Sequence, residues 1–227
     1  TCSLCEQDYH GVVACALGWA CWKTYLGRPE TDWARRMAMN LLGNGLSDAK
    51  HHEDALSVRE AELAMRRRLG ESGYNMLAVQ GNLANTYYML GRSEKALNMR
   101  QDVYSGSLRL YGEEHELTLV DASNLASTLI FLKRFEEAKS VLRKMIPVAR
   151  RVLGESNDVT LRMRWRYAEA LCWDTAATLD DVREAVTTLE DAGRIARRVL
   201  GGAHPTTAAI GRTLQKARIT LYAREAA

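Results

Sequence analysis

Cys2 and Cys5 stand two residues apart, the spacing from which two thiolates hold one Zn²⁺ at a tight turn. Zinc requires four ligands, and the neighbouring candidates are His10, Cys15 and Cys21. Cys15 and Cys21 have a second explanation. With Val12, Val13, Ala16, Trp19, Ala20 and Trp22 they follow the pattern of small buried hydrophobes on a packed helix. His51 and His52 lie beside Glu53 and Asp54, the composition of a solvated turn. His115 and His204 each come three residues after a glycine, Gly112 and Gly201. A repeated position of that kind argues for a helix cap rather than catalysis. The sequence has no glycine-rich phosphate loop, no Gly-x-Ser-x-Gly and no His-Glu-x-x-His. The expectation is a protein that is not an enzyme and needs no cofactor within these residues.

The elements that position these residues follow from composition and from internal repetition. The 227 residues are 47 % hydrophobic and 26 % charged, with a net charge of +3. That balance argues against nucleic acid or a membrane surface as partner. The longest apolar run, Gly11 to Trp22, is well short of the roughly 20 residues of a membrane-spanning helix. Ala, Leu, Arg and Glu dominate and Pro is scarce, so helix is expected throughout. An odd count of five cysteines without a visible signal peptide fits a reduced, cytoplasmic compartment. The chain starts at Thr1 rather than Met, which fits a processed or partial chain.

The repeat is read from landmarks in phase. Arg67-Arg68-Leu69-Gly70, Leu110-Tyr111-Gly112, Arg151-Val152-Leu153-Gly154 and Arg198-Val199-Leu200-Gly201 recur at spacings of 42, 42 and 47 residues, after a first Leu26-Gly27. Within each unit a large apolar residue precedes a small one, and another apolar residue comes three further on; the small residues are Gly43, Ala84, Ala126 and Ala168. About twelve residues later an alanine opens a second helix: Ala55, Ala96, Ala138 and Ala185. Arginines close that helix against its dipole, and glycine caps it. Pro147 should bend one second helix. About five extra residues around 174–181 should lengthen one turn.

Two helices per unit, crossing at small residues, describe a helical-hairpin array. The Leu-Gly starts, the Asn82-Leu83-Ala84 and Asn124-Leu125-Ala126 cores, the Gly91-Arg92 and Lys133-Arg134 turns and His204-Pro205-x-Thr207 resemble the tetratricopeptide repeat, in the longer variant of kinesin light chains. The resemblance implies an all-α fold, a right-handed superhelical solenoid of antiparallel helix hairpins. Helix pairs are expected at 31–69, 75–111, 117–153 and 159–200, with a capping helix at 205–224. Residues 27–227 would be the repeat domain. Residues 1–26 would be a separate piece ending in an N-terminal capping helix. There Cys2-Ser-Leu-Cys5-Glu-Gln-Asp-Tyr-His-Gly11 looks like the last knuckle of a RING-CH-type zinc finger. Cys2 and Cys5 would then be half of a metal site, completed by zinc only in a longer protein.

For function the resemblance implies a scaffold that binds a peptide or partner protein in its concave groove. Positions facing that groove would include Asn40, Asn44, Asn85, Tyr88, Ser127 and Ile130, with Arg162 and Arg166 in the last pair. Asn44 and Asn85 occupy matching positions and resemble an amide ladder for a peptide backbone. The alternative for both is that they are solvated or bond between helices. The expected state is a monomer. The alternative function is the substrate-recruiting part of a RING-CH-type ubiquitin ligase.

Overall fold

Glycine decides where the second helix of each pair stops. Gly70, Gly112, Gly154 and Gly201 take φ of 68°, 84°, 88° and 85° at the ends of successive second helices, a region that residues with a Cβ enter at a cost. The structure, a computed structural model, describes residues 9–226. These residues form ten α-helices with no strand among them. In chain order they are α1 Gly11–Tyr25, α2 Trp33–Asp48, α3 His52–Arg68, α4 Tyr74–Met89, α5 Ser93–Tyr111, α6 Glu116–Phe131, α7 Phe135–Val152, α8 Asp158–Trp173, α9 Leu179–Val199 and α10 Pro205–Glu225.

First and second helices alternate, and each class has its own start signal. Four of the five first helices begin at side-chain caps: Asp32 accepts from Ala34 N–H, His115 from Leu117, Asn157 from Val159 and His204 from Thr206, while α4 starts at Gly73 without one. His115 and His204 therefore have the capping role that their repeated position suggested, each through Nδ1. The second helices α3, α5 and α7 follow three-residue turns whose middle residue is left-handed: Lys50 at φ 65°, Gly91 at 71° and Lys133 at 61°. The turn before α9 is longer, at 174–178, and ends in a capping box between Thr178 and Asp181. Asp174 in that turn pairs with Lys139 of α7 at 3.1 Å. α7 stays helical through Pro147, although proline there removes one backbone donor.

The chain divides within α5 into two compact units, one up to Val103 and one from Tyr104. In the first unit α1 lies against α2 at two glycines. A Cβ on Gly18 would meet Leu42 Cα at 2.9 Å, and one on Gly45 would meet Ala14 O at 2.6 Å. Leu42, Leu46 and Ala55 are buried there, with Cys15, Trp22 and Val58 packed against them. A second cluster joins Leu56 and Leu63 of α3 to Val79, Leu83 and Tyr87 of α4. An ion-pair chain ties the unit's surface together. Arg36 and Arg66 hold the two oxygens of Glu71 at 3.1 and 2.7 Å, and Arg66 also holds Glu62 at 2.8 Å. Glu62 is 1 % exposed; burial pushes its carboxyl above the usual range while Arg66 pulls it back.

The second unit has one continuous core, including Leu119, Leu142, Met145, Leu161, Leu189 and Ile210. Here α8 packs against α6, α7, α9 and α10. On α10, Gln215 and Arg218 stand 47 residues after Ala168 and Leu171, which are fully buried. Gln215 is exposed, and Arg218 reaches Glu190 at 2.6 Å. α10 thus exposes polar side chains where α8 buries apolar ones, with Ile219 and Tyr222 exposed beside them.

Two glycine substitutions separate packing from propensity. Gly45→Ala should destabilise the first unit by about 1–3 kcal/mol through the α1–α2 clash. Gly81→Ala, in a helix with nothing within 4 Å of its added methyl, should stabilise by up to about 1 kcal/mol. Urea unfolding followed by tryptophan fluorescence and circular dichroism checks both.

Candidate functional site

An arginine from the second helix of a pair reaches an asparagine on the first. Arg59 Nη2 of α3 donates to Asn44 Oδ1 of α2 at 2.9 Å, and also to Ser47 Oγ at 3.3 Å. Arg100 Nη2 of α5 donates to Asn85 Oδ1 of α4 at 2.8 Å. Both arginines come fifteen residues after their asparagine, and both are buried, at 5 and 7 % exposure. The next two pairs do not continue the device. Leu142 and Leu189 stand four residues after Ala138 and Ala185, where Arg59 and Arg100 stand after Ala55 and Ala96. The fixed spacing was visible in the sequence, but only the fold shows that the two side chains meet.

This bond sets which end of each amide faces outward. Arginine carries donors only, so the Asn oxygen must face it and the Asn nitrogen must point away. Asn44 passes the polarity on: its Nδ2 donates to Asn40 Oδ1 at 3.1 Å, leaving Asn40 with its own nitrogen as donor. Asn85 is exposed, so its Nδ2 faces solvent. The first unit thus offers oriented amide donors on α2 and on α4, which suit carbonyl or carboxylate oxygens. Tyr88 lies half-buried with its ring 5.0 Å from the Arg100 guanidinium. The cost falls on Arg59, whose Nε and Nη1 are buried without a hydrogen-bond partner. Its burial lowers the guanidinium pKa, partly offset by Glu62.

The remaining expected residues lie in the second unit. Ser127 is half-buried and its hydroxyl donates to Ser123 O at 3.0 Å. Ile130 is 4 % exposed, so the reading of Ile130 as an open groove residue is corrected: it is a core residue. Helical spacing assigned it to a face but could not show that the face is covered. Arg162 pairs with Asp158 at 3.0 Å. Arg166 lies over the Trp165 ring at 3.8 Å and holds Glu169 at 2.6 Å. Glu169 is 2 % exposed and also accepts from Thr213 of α10 at 3.4 Å. Trp165 donates to the same Thr213 hydroxyl at 2.8 Å. Glu169 holds the repeat position of Asn44 and Asn85, but its meeting with Thr213, 44 residues on, was not legible in the sequence. Cys172 beside it is buried, which pushes its thiol up to about 11 and keeps it protonated at neutral pH.

Cys2 and Cys5 lie outside the described residues. Among the described residues no three His, Cys, Asp or Glu side chains gather as a metal site. No helix among them is long and apolar enough to cross a membrane.

Known proteins share this geometry at the level of fold. The family model of the tetratricopeptide repeat matches residues 75–151. The fold is that of tetratricopeptide-like helical solenoids. A crystal structure of nearly identical TPR-like repeats from a putative kinesin light chain of Podosopora anserina is 21 % identical with a TM-score of 0.69. The match covers 88 % of this chain and 90 % of that one. BtubC (BKLC) of P. vanneervenii is 14 % identical with a TM-score of 0.61, over 93 and 89 % of the two chains. A Rap protein complexed with Competence and Sporulation Factor is 15 % identical with a TM-score of 0.55. That match covers 92 % of this chain and 58 % of the Rap chain. At these identities the likeness is one of fold. No curated protein matches the chain.

Burial of Glu169 has a measurable consequence. Desolvation raises its carboxyl pKa above the ordinary 4.5, with Arg166 opposing. The folded state therefore binds the proton more tightly than the unfolded chain, and stability falls as pH rises from about 4.5 through the raised value. Glu169→Gln keeps an acceptor for Thr213 and removes the charge. It should flatten that part of the stability–pH curve, measured by urea midpoints between pH 4 and 7.

Proposed function

We propose that this chain is a non-catalytic scaffold that binds a peptide, or an extended segment of a partner protein, along its first helices. The carrying observation is the repeated Asn–Arg pairing: Arg59 on Asn44 and Arg100 on Asn85, at one spacing in consecutive hairpins. Orienting a row of amide donors is useful to a ligand whose acceptors recur at regular intervals, and a peptide backbone is such a ligand. The arrangement grips backbone without reading side chains, so selectivity must come from neighbouring pockets. The Rap structure, in which a fold of this type is complexed with Competence and Sporulation Factor, supports the same use of the fold. In this reading the chain acts as a cytoplasmic monomer and needs no cofactor within these residues. A zinc knuckle at Cys2 and Cys5 would belong to a neighbouring function.

An array of fifteen-residue peptides probed with the whole chain tests the reading. Saturable binders are expected, and Asn85→Ala should weaken them about fivefold, the worth of one hydrogen bond. Arg100→Met should weaken them equally, because it frees the Asn85 amide to turn. The circular dichroism spectra should be unchanged. Failure to find any saturable peptide would overturn the scaffold reading.

A further inference from the structure

The array has one first helix that breaks the repeat's own polarity rule. The position two residues before the small crossing residue is Asn82 in α4, Asn124 in α6 and Arg166 in α8, but Leu41 in α2. Leu41 is 44 % exposed, so the core does not require its apolar side chain. Across from it α1 presents Leu17, 48 % exposed, and the chain entering α1 presents Tyr9, 43 % exposed. Between these three walls lies a cavity of about 440 Å³. Its floor is the backbone at Gly18 and Gly45, the glycines that bring α1 and α2 together. The volume falls within the range of roughly 300–1,000 Å³ of ligand pockets, and the lining is mostly apolar.

Asn44, Asp48 and His10 are polar side chains of its lining. Asn44 belongs to the amide relay already described. Asp48 accepts the Gly11 N–H through Oδ2, the oxygen that also lies 3.8 Å from His10 Nδ1. Its Oδ1 has no hydrogen-bond partner among the described residues, and the side chain is 44 % exposed. His10 is the basic side chain of the lining that faces this carboxylate, and no lysine or arginine lines the cavity.

We infer that the α1–α2 cavity is a specificity pocket for one bulky apolar side chain of a bound peptide, with a lysine or arginine next to that residue meeting Asp48. This rests on the scaffold reading and supplies what the amide relay lacks, a way to tell one sequence from another. The amides hold backbone oxygens beside the pocket, so a side chain leaving that backbone can turn into it. The negative mouth selects a cationic neighbour and rejects an acidic one.

A positional-scanning peptide array tests this against wild type, Leu17→Glu, Asp48→Asn and Asn85→Ala. Leu17 is half-exposed, so the glutamate leaves the fold intact while placing charge at the mouth, and melting curves verify this. Wild type should select a bulky apolar residue beside Lys or Arg. Leu17→Glu should lose at least about tenfold in affinity and lose the apolar preference. Asp48→Asn, which keeps the bond to Gly11 N–H, should lose only the cationic preference, and added salt should erase the difference from wild type. Asn85→Ala should weaken all binders without changing which sequences are chosen. Peptides that bind in an Asn85-dependent way but ignore Leu17→Glu and Asp48→Asn would overturn the pocket and leave the scaffold reading standing. No saturable binding by wild type would overturn both. A wild-type dimer in sedimentation that Leu17→Glu dissociates would assign the pocket to a second copy and overturn the peptide assignment.

Discussion

Everything in this chain depends on two helices being able to cross closely once per repeat. Gly43, Ala84, Ala126 and Ala168 on the first helices are all buried, as are Ala55, Ala96, Ala138 and Ala185 on the second. A larger side chain at either position would force the helices apart and open a void that no neighbour could fill. Close crossing also fixes the turn. Three residues suffice only because Lys50, Gly91 and Lys133 adopt left-handed backbone. Where the turn grows to 174–178, a capping box and the Lys139–Asp174 pair replace that constraint.

Close crossing also explains the asparagine–arginine pairs. When the helices of a hairpin approach through small residues, a long side chain from the second can reach the outer face of the first. Gly43 shows the distances involved: a Cβ there would meet Arg59 Cγ at 3.4 Å. The arginine is mostly desolvated, and its bond to the asparagine partly offsets that cost. The by-product is a polar group on the far side of the helix whose orientation is fixed before any ligand arrives. Preorganised donors bind with less loss of side-chain freedom than mobile ones.

The two units use burial differently. In the second, polar groups are drawn into the core as a closed set: Glu169, Thr213, Trp165 and Arg166 satisfy one another between α8 and α10. In the first, the groups around α2 stay open at the surface, as the half-exposed Leu41, Leu17 and Asp48 show. The α1–α2 contact is held both by the glycine crossing and by Cys15 and Trp22 packed against Leu42 and Leu46.

The sequence by itself determined the order, phase and lengths of the repeated hairpins, because glycine caps, small crossing residues and helix-start acceptors are local signals that recur at a fixed spacing. It also determined that His115 and His204 are caps, since position in the repeat carried that information. The tertiary structure alone decided which polar groups are used up. Asn44 and Asn85 lost their oxygens to Arg59 and Arg100, and Ile130 went into the core. The cavity between α1 and α2 was likewise invisible, because it arises at a crossing, at Gly18 and Gly45, that none of the repeated landmarks marks. Periodicity tells which face a residue occupies. What covers that face depends on contacts between residues far apart in the chain, and no local pattern encodes them.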